Sequence, residues 1–101
     1  MARPKKLSEA EVNRRLADIP GWEYQDGKLC REFRFPTFVE AFSFMSAMAL
    51  VSEKLDHHPE WCNVYNRVMV ELSTHDAKGI TTRDFEWARQ ANALVGSAGS
   101  G

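Results

Sequence analysis

The sequence has few cysteines, no long apolar run and almost no net charge, and each of these features excludes a class of protein. Two cysteines, Cys30 and Cys62, are too few for a disulfide framework or a zinc ribbon, so we expect a reduced, cytoplasmic chain. The most apolar stretch, residues 38–51, is too short and too polar to span a bilayer, and no apolar segment of a secretory signal follows the basic N-terminus. Thirteen basic and fourteen acidic residues give a net charge of -1, which argues against binding nucleic acid or an anionic membrane by bulk charge.

The apolar residues that are present suffice for one small domain. Of the 101 residues, 44% are hydrophobic, and they include six Phe and three Trp, so we expect a packed core rather than disorder. We predict a single domain over residues 1–95 and a flexible tail over residues 96–101, which are Gly, Ser and Ala. Because the core of so small a domain is thin, self-association is also expected.

Helix and strand signals alternate along the chain. Ser8, Thr37 and Thr81 each stand three residues before an acidic residue, which is the spacing of a capping box at a helix N-terminus. The pair Asp26-Gly27 is typical of a hairpin turn, and a second pair of strands follows Trp61. The predicted order is α-β-β-α-β-β-α. This order indicates an α+β fold, in which a four-stranded antiparallel sheet carries its helices on one face.

Two details of these elements lead to specific expectations. The helix after Thr37 carries an amphipathic stripe that we expect to pack on the sheet, formed by Phe38, Ala41, Phe42, Met45, Met48, Ala49, Ser52 and Leu55. In the strand that contains Leu29, Phe33 and Phe35, Arg31 interrupts the apolar face. We therefore expect this strand to lie at an edge of the sheet, or its face to meet a partner.

All three histidines fall between positions 57 and 75. His57 and His58 are predicted just past the end of a helix, since Pro59 stops it, and His75 just past the end of the last strand. Imidazole titrates near neutral pH, with a pKa of about 6.5, so three rings facing one cleft would suit a reaction made of proton transfers. Histidines at helix ends and turns are also ordinary structural residues. A zinc site or a nucleophile pair that uses Cys62 is a weaker alternative.

Two acidic residues near the histidines have two interpretations each. Asp84 completes the capping box of Thr81, and it could also orient His75 across the turn. Glu53 is either a solvated helix residue or a carboxylate directed at the His57-His58 loop.

This part of the chain resembles the pterin-4a-carbinolamine dehydratase family. The shared pattern is an acid, three residues, His-His-Pro and an aromatic residue, then a histidine at the end of the next strand and an aspartate after it. The steps of 18 residues from His57 to His75 and of nine residues to Asp84 agree with the family. The resemblance extends over residues 7–95 and is carried most clearly by residues 53–61, 63–68 and 73–84.

The resemblance implies a dehydratase that eliminates water from 4a-hydroxytetrahydropterin, for example 4a-hydroxytetrahydrobiopterin, to give quinonoid dihydropterin. Such an enzyme recycles the cofactor of aromatic amino acid hydroxylases and uses no metal and no organic cofactor. It further implies that His57 and His75 are the acid-base pair and that His58 is a binding and catalytic partner. The implied pterin-binding residues are His57, His58, Pro59, Thr74, His75, Asp76 and Ala77, with residues 74–77 acting through their backbone, and the implied supporting carboxylates are Glu53 and Asp84.

The resemblance also implies an alternative to catalysis. The family is known for symmetric dimers and tetramers, and some animal members bind a homeodomain transcription factor. The alternative function is therefore a dimerisation and binding module, similar to a transcriptional coactivator, that uses the helix after Thr37. In either case a membrane or nucleic acid is not an expected partner.

Overall fold

The structure, a computed structural model, describes residues 4–97. Within them the chain forms three α-helices and four β-strands, in the order α1 (Glu9–Arg15), β1 (Glu23–Gln25), β2 (Lys28–Arg34), α2 (Phe38–Leu55), β3 (Glu60–Val64), β4 (Arg67–Leu72) and α3 (Thr82–Ser97). Short 3-10 turns lie at Leu16–Asp18 and His75–Ala77. The predicted α+β class and element order are confirmed.

The helix starts follow the capping pattern of the sequence. The hydroxyl of Ser8 accepts a hydrogen bond from the backbone N–H of Glu11 at 3.2 Å, and that of Thr37 accepts one from Glu40 at 3.2 Å. Each bond satisfies a backbone donor that has no partner within the first turn of a helix. The starts of α1 and α2 are therefore fixed by local sequence alone.

The four strands form one antiparallel sheet in the order β1-β2-β4-β3. Asp26 and Gly27, which connect β1 to β2, have φ angles of 52° and 76°, as a two-residue hairpin turn with the right-handed twist of a sheet requires. Tyr65, with φ of 52°, lies in the turn between β3 and β4. Both predicted hairpins are therefore present, and β2 and β4 pair at the centre of the sheet.

Arg31 lies on a central strand, so the expectation that its strand forms an edge is wrong. Its guanidinium donates hydrogen bonds to the side-chain oxygen of Asn92 at 2.6 Å and to the carbonyl of Pro20 at 3.2 Å. It also lies 4.3 Å from the centre of the Phe33 ring. Burial lowers the pKa of Arg31. These contacts with Asn92, Pro20 and Phe33 explain how the Arg31 cation is accommodated on the apolar face of a central strand.

The core lies between the sheet and the helices. Its largest fully buried side chains include Phe85 and Trp87 of α3, together with Leu29 and Leu72 of the central strands. Trp87 meets Trp61 edge to face, with 6.0 Å between the ring centres. Because α3 carries the largest buried side chain, its position relative to the sheet is fixed by packing.

The apolar stripe of α2 is rotated from the predicted one. The buried residues are Ala41, Phe44, Met48 and Ser52, whereas Phe38 and Phe42 are 46% and 55% exposed. The prediction missed Phe44 because α2 carries apolar residues around most of its circumference, and periodicity alone does not fix which side meets the sheet.

The end of α3 overlaps the segment expected to be flexible. Gly96 and Ser97 belong to the helix, and residues 98–101 of the predicted tail lie outside the described residues. None of the helices in residues 4–97 is both long enough and apolar enough to cross a membrane.

Candidate active site

The segments that carry the predicted site residues meet at one end of the sheet. Strand β3 begins at Glu60, which pairs with Glu71 near the end of antiparallel β4. Residues 57–59, which lead into β3, and residues 73–77, which follow β4, therefore lie at the same end. The sequence separates these segments, and the sheet brings them together.

The C-terminus of α2 fixes the backbone of His57. Asp56 adopts a left-handed conformation with φ of 52° and ends the helix, and the N–H of His57 donates to the carbonyl of Ser52 at 3.0 Å. The hydroxyl of Ser52 in turn accepts a hydrogen bond from the indole N–H of Trp87 at 2.8 Å. The start of the His57-His58 loop is thus tied to α3.

His57 forms a buried pair with Asp84. Its side chain is 9% exposed, and its Nε2 lies 2.5 Å from Oδ1 of Asp84, which is fully buried. The second carboxylate oxygen, Oδ2, accepts hydrogen bonds from the N–H of Thr81 at 2.9 Å and from the hydroxyl of Thr74 at 2.8 Å. Asp84 is therefore the cap expected for α3, but the imidazole it contacts is that of His57 and not that of His75.

His58 forms a separate pair near the protein surface. Its Nε2 lies 2.6 Å from a carboxylate oxygen of Glu53, and both side chains are more than half exposed. Of the two interpretations of Glu53, the structure shows the carboxylate directed at the His57-His58 loop. Pro59, which follows, is half-buried at the entrance to β3.

His75 lies in a tight loop after β4. The backbone N–H of Thr74 donates to the carbonyl of Gly79 at 2.8 Å, and the carbonyl of Thr74 accepts from the N–H of Ala77 at 3.2 Å. These bonds occupy backbone groups of Thr74 and Ala77 that were expected to contact a pterin. The side chains of His75 and Asp76 are exposed, and no hydrogen bond joins the His75 ring to another described residue.

A cleft of about 300 Å³ lies beside His75. It is lined by Ser73, Thr74 and His75, by Lys78 and Gly79, and by the β1–β2 turn at residues 26–28. His57 and His58 are not part of its lining. The three histidines therefore lie at one end of the sheet, but of the three only His75 lines this cleft.

Lys28 and Glu60 form an ion-pair cluster close to His75. The ammonium of Lys28 lies 3.0 Å from Glu60 and 3.3 Å from Glu71. Its hydrogen bond lowers the pKa of Glu60, and His75 adds to this lowering. Glu60 and Glu71 together raise the pKa of Lys28. This cluster could not be predicted from the sequence, because Lys28 and Glu60, 32 positions apart, meet only through the order of the strands.

The geometry does not favour the alternative that Cys62 joins the histidines. Cys62 is exposed on β3 and alternates with Trp61, which packs on the core, so the two side chains point to opposite faces of the sheet. Among residues 4–97, no three His, Cys, Asp or Glu side chains are grouped as metal ligands.

The His57–Asp84 pair has the arrangement of a proton-transfer group. A buried carboxylate that holds one nitrogen of an imidazole fixes the ring and leaves the other nitrogen for a reacting molecule. The exposed imidazoles of His58 and His75 lie at the same end of the sheet and are open to solvent. Such a site can donate and accept protons with side chains alone.

Comparison with known sequences agrees over almost the whole chain. The family model described as Pterin 4 alpha carbinolamine dehydratase matches residues 5–94, which include every predicted site residue. A Solibacter usitatus protein is 49% identical over 90 residues, covering 89% of this chain and 95% of that relative. A Brucella ovis protein is 49% identical over 98 residues, covering 95% of this chain and 100% of that relative. Both are provisionally named pterin-4-alpha-carbinolamine dehydratase.

Two solved structures share the fold. A transcriptional coactivator/pterin dehydratase from Brucella melitensis superposes with a TM-score of 0.87 at 47% identity, over 89% of this chain and 98% of that one. A pterin dehydratase-like protein, a RuBisCO assembly factor in the alpha-carboxysome, has a TM-score of 0.67 at 22% identity, over 78% and 94% of the two chains. The second likeness establishes the fold alone.

Proposed function

Because this chain belongs to the pterin 4 alpha carbinolamine dehydratase family, we propose that it eliminates water from a 4a-hydroxytetrahydropterin to give the quinonoid dihydropterin. The observation that carries the proposal is the buried pair of His57 and Asp84, at the end of the sheet where His58 and His75 also lie. Pterin is the substrate in this proposal, and no cofactor is required.

The elimination needs one acid and one base. The bond between C4a and its hydroxyl oxygen breaks, and the oxygen takes a proton from an acid and leaves as water. The proton on N5 passes to a base, and its electron pair forms the new double bond between N5 and C4a. Imidazoles that titrate near neutral pH can fill both roles, each contributing about 10² to 10⁴ in rate.

His57 would act through Nδ1. A carboxylate only accepts hydrogen bonds, so the contact with Asp84 places a hydrogen on Nε2 of the ring. The neutral ring then has its lone pair on Nδ1, where it can take a proton, and the protonated ring can return it from the same atom. Asp84 keeps the hydrogen on Nε2 throughout the cycle, in the neutral and in the protonated ring.

His75 would be the second member of the acid-base pair. Its ring is exposed and has no hydrogen-bond partner among the described residues, so a bound substrate can supply the contact. The exposure also allows its proton to exchange with water between turnovers. His58 would hold and assist the substrate, with Nε2 on Glu53 and Nδ1 directed away from that carboxylate.

Stopped-flow dehydration of chemically generated 4a-hydroxytetrahydropterin tests the proposal. We expect His57→Ala and His75→Ala each to lower kcat by about 10² to 10⁴ while far-ultraviolet circular dichroism is unchanged. Gln25→Ala, at an exposed position of β1, is the control and should retain the wild-type rate. Wild-type rates in both histidine variants would contradict the mechanism, and no dehydration by the unmodified protein would contradict the activity.

The exposed face of α2 favours binding as a second function. Phe38, Val39, Phe42 and Leu50 are between 46% and 75% exposed, which is unusual for apolar residues of this size on a monomer. The Brucella melitensis relative is described as a transcriptional coactivator as well as a pterin dehydratase. We propose that this face associates with another copy of the chain, and that a protein partner is the alternative occupant.

A further inference from the structure

Three buried groups form a continuous hydrogen-bonded chain behind His57. The hydroxyls of Thr74 and Thr81 lie 2.8 Å apart, and the hydroxyl of Thr74 lies 2.8 Å from Oδ2 of Asp84. The other oxygen of Asp84 holds His57. Thr74, Thr81 and Asp84 are 6%, 0% and 0% exposed, so water does not compete for these contacts.

The direction of each hydrogen bond follows from counting donors. Thr74 has one hydroxyl hydrogen, and its contact with the carboxylate of Asp84 uses it. The hydroxyl of Thr81 must therefore donate to Thr74, while its own oxygen accepts from the N–H of Arg83 at 3.2 Å. No buried side-chain oxygen or nitrogen in residues 4–97 is left without a partner. The network thus has one self-consistent arrangement.

We propose that the hydroxyls of Thr74 and Thr81 are positioning groups, which hold Asp84 so that the His57 ring keeps its hydrogen on Nε2 and presents Nδ1 to the substrate. The proposal rests on the proposed function for its catalytic consequence. A helix cap alone does not need this chain, because the backbone N–H of Thr81 already donates to Asp84. The hydroxyl of Thr74 adds a second, independent donor to the same oxygen.

The chain also connects two parts of the site. Thr74 begins the loop that carries His75, and its N–H and carbonyl are bonded to Gly79 and Ala77 of that loop. Its hydroxyl reaches Asp84 on α3, and Asp84 reaches His57 after α2. A displacement of the loop therefore changes the support of Asp84. The two proposed acid-base histidines are in this way set relative to each other through Thr74.

The substitution Thr74→Val tests the proposal, because it removes the hydroxyl and keeps the branched shape. We expect kcat for dehydration to fall about ten-fold with little change in KM, since the lost bond supports Asp84 and not the substrate. Thr74→Ser restores a hydroxyl and should return most of the lost rate. Thr37→Val is the matched control, because it removes a threonine cap from α2 without touching Asp84.

A second readout does not depend on activity. Nitrogen-15 NMR of the imidazoles reports which ring nitrogen carries the hydrogen, and the three histidines are assigned with His58→Gln and His75→Gln. We expect one Nε2–H tautomer for His57 in the unmodified protein, and loss of its resolved Nε2 proton signal in Thr74→Val. Thr81→Val, which removes the outer hydroxyl and keeps the branched shape, provides the same comparison if Thr74→Val does not fold.

The outcomes separate the inference from the function on which it rests. Unchanged kcat and an unchanged His57 signal in Thr74→Val would overturn the positioning role, as would equal losses in the Val and Ser variants. If the unmodified protein does not dehydrate the pterin, the proposed function fails. The NMR comparison then still decides whether the two hydroxyls fix the His57 ring.

Discussion

The two oxygens of Asp84 have different partners, and each serves a different purpose. Oδ2 accepts from the N–H of Thr81 and so caps α3, while Oδ1 holds His57. The two roles of Asp84, capping α3 and orienting a histidine, would exclude each other only if its side chain could make a single contact. Because a carboxylate has two oxygens and can accept several hydrogen bonds, one buried aspartate fills both roles.

The substitution Asp84→Asn should reverse the hydrogen placement on His57. The amide oxygen of Asn can still accept from Thr74 and Thr81, which leaves its NH₂ group facing Nε2. The ring would then carry its hydrogen on Nδ1, the wrong tautomer for a base at that atom. We expect kcat to fall about 10² to 10⁴ with the fold retained, measured by stopped-flow dehydration and by nitrogen-15 NMR of His57.

The matched control for this prediction is Glu86→Gln. Glu86 lies on the same helix, and its carboxylate bonds only to Arg89 and Gln90 at the surface. It should keep the wild-type rate. If Asp84→Asn also kept that rate, Asp84 would be a helix cap alone.

The two thiols should differ in reactivity. Burial raises the pKa of Cys30, and the charge of Glu71 adds to the effect, whereas Cys62 is exposed. At a mildly alkaline pH, Cys30 therefore has a smaller thiolate fraction than an unperturbed thiol and is less accessible. We expect iodoacetamide to modify Cys62 first, as followed by peptide mass spectrometry.

Denaturation supplies the control for the thiol comparison. In urea both residues are exposed, and their rates of alkylation should become similar. Faster reaction of Cys30 than of Cys62 in the folded protein would contradict the partial burial of Cys30.

At the scale of elements, the features that depend on neighbouring residues could be predicted and those that depend on packing could not. The caps at Ser8 and Thr37 and the turn at residues 26–27 need only the residues next to them. The central position of β2 and the burial of Phe44 depend on the sheet order and on how α2 rests on it. The contact that accommodates Arg31 could not be predicted for the same reason, since its partner Asn92 is 61 positions away.

Alanine substitutions at two glycines, Gly27 between β1 and β2 and Gly21 just before β1, should lower the free energy of unfolding by different amounts. Gly27 has φ of 76° and open space around it, so Gly27→Ala should cost only backbone strain, about 1 to 2 kcal/mol. Gly21 has φ of 90°, and an added Cβ would lie 2.8 Å from Cζ of Arg31. Gly21→Ala should cost more, because the guanidinium must also move away from Asn92 and Pro20. Thermal unfolding measures both.

Gly96→Ala is the control for the glycine pair. Gly96 lies in α3 with nothing near the position of an added Cβ, so the alanine should not lower the melting temperature. If Gly21→Ala lowered the melting temperature no more than Gly27→Ala, the contacts of Arg31 with Pro20 and Asn92 would contribute little to stability.

For the whole molecule, the site exists only once the fold is assembled. His57 and Asp84 are 27 positions apart, and Lys28 is 43 positions from Glu71. The sequence pattern could identify the three histidines and both carboxylates as candidates through the family resemblance. It could not assign Asp84 to His57, because that pairing depends on which ends of α2, β4 and α3 meet.

The packing of α2 on the sheet also determines which apolar side chains remain on the protein surface. The side of α2 that carries Phe44 packs on the sheet and leaves other apolar side chains exposed, among them Val39 at 71% and Leu50 at 75% exposure. Removing such side chains from water by association is favourable, at about 25 cal/mol per Å² of apolar surface. A chain with this face exposed is expected to self-associate at the concentrations used in structural work.

Charge substitution on this face should separate association from catalysis. We expect the unmodified protein to have a molar mass that is a multiple of 11.5 kDa in size-exclusion chromatography with light scattering, and Val39→Glu and Leu50→Glu to lower it. A buried carboxylate in the contact would lack a partner and would cost more than the lost apolar contact. Ala17→Glu, at an exposed residue outside α2, is the control and should leave the mass unchanged.

A monomeric unmodified protein at every concentration would instead point to a different protein as the occupant of the face. Turnover in the variants then shows whether assembly is needed for dehydration: the His57–Asp84 pair lies within one chain, so we expect each dissociated variant to retain measurable activity.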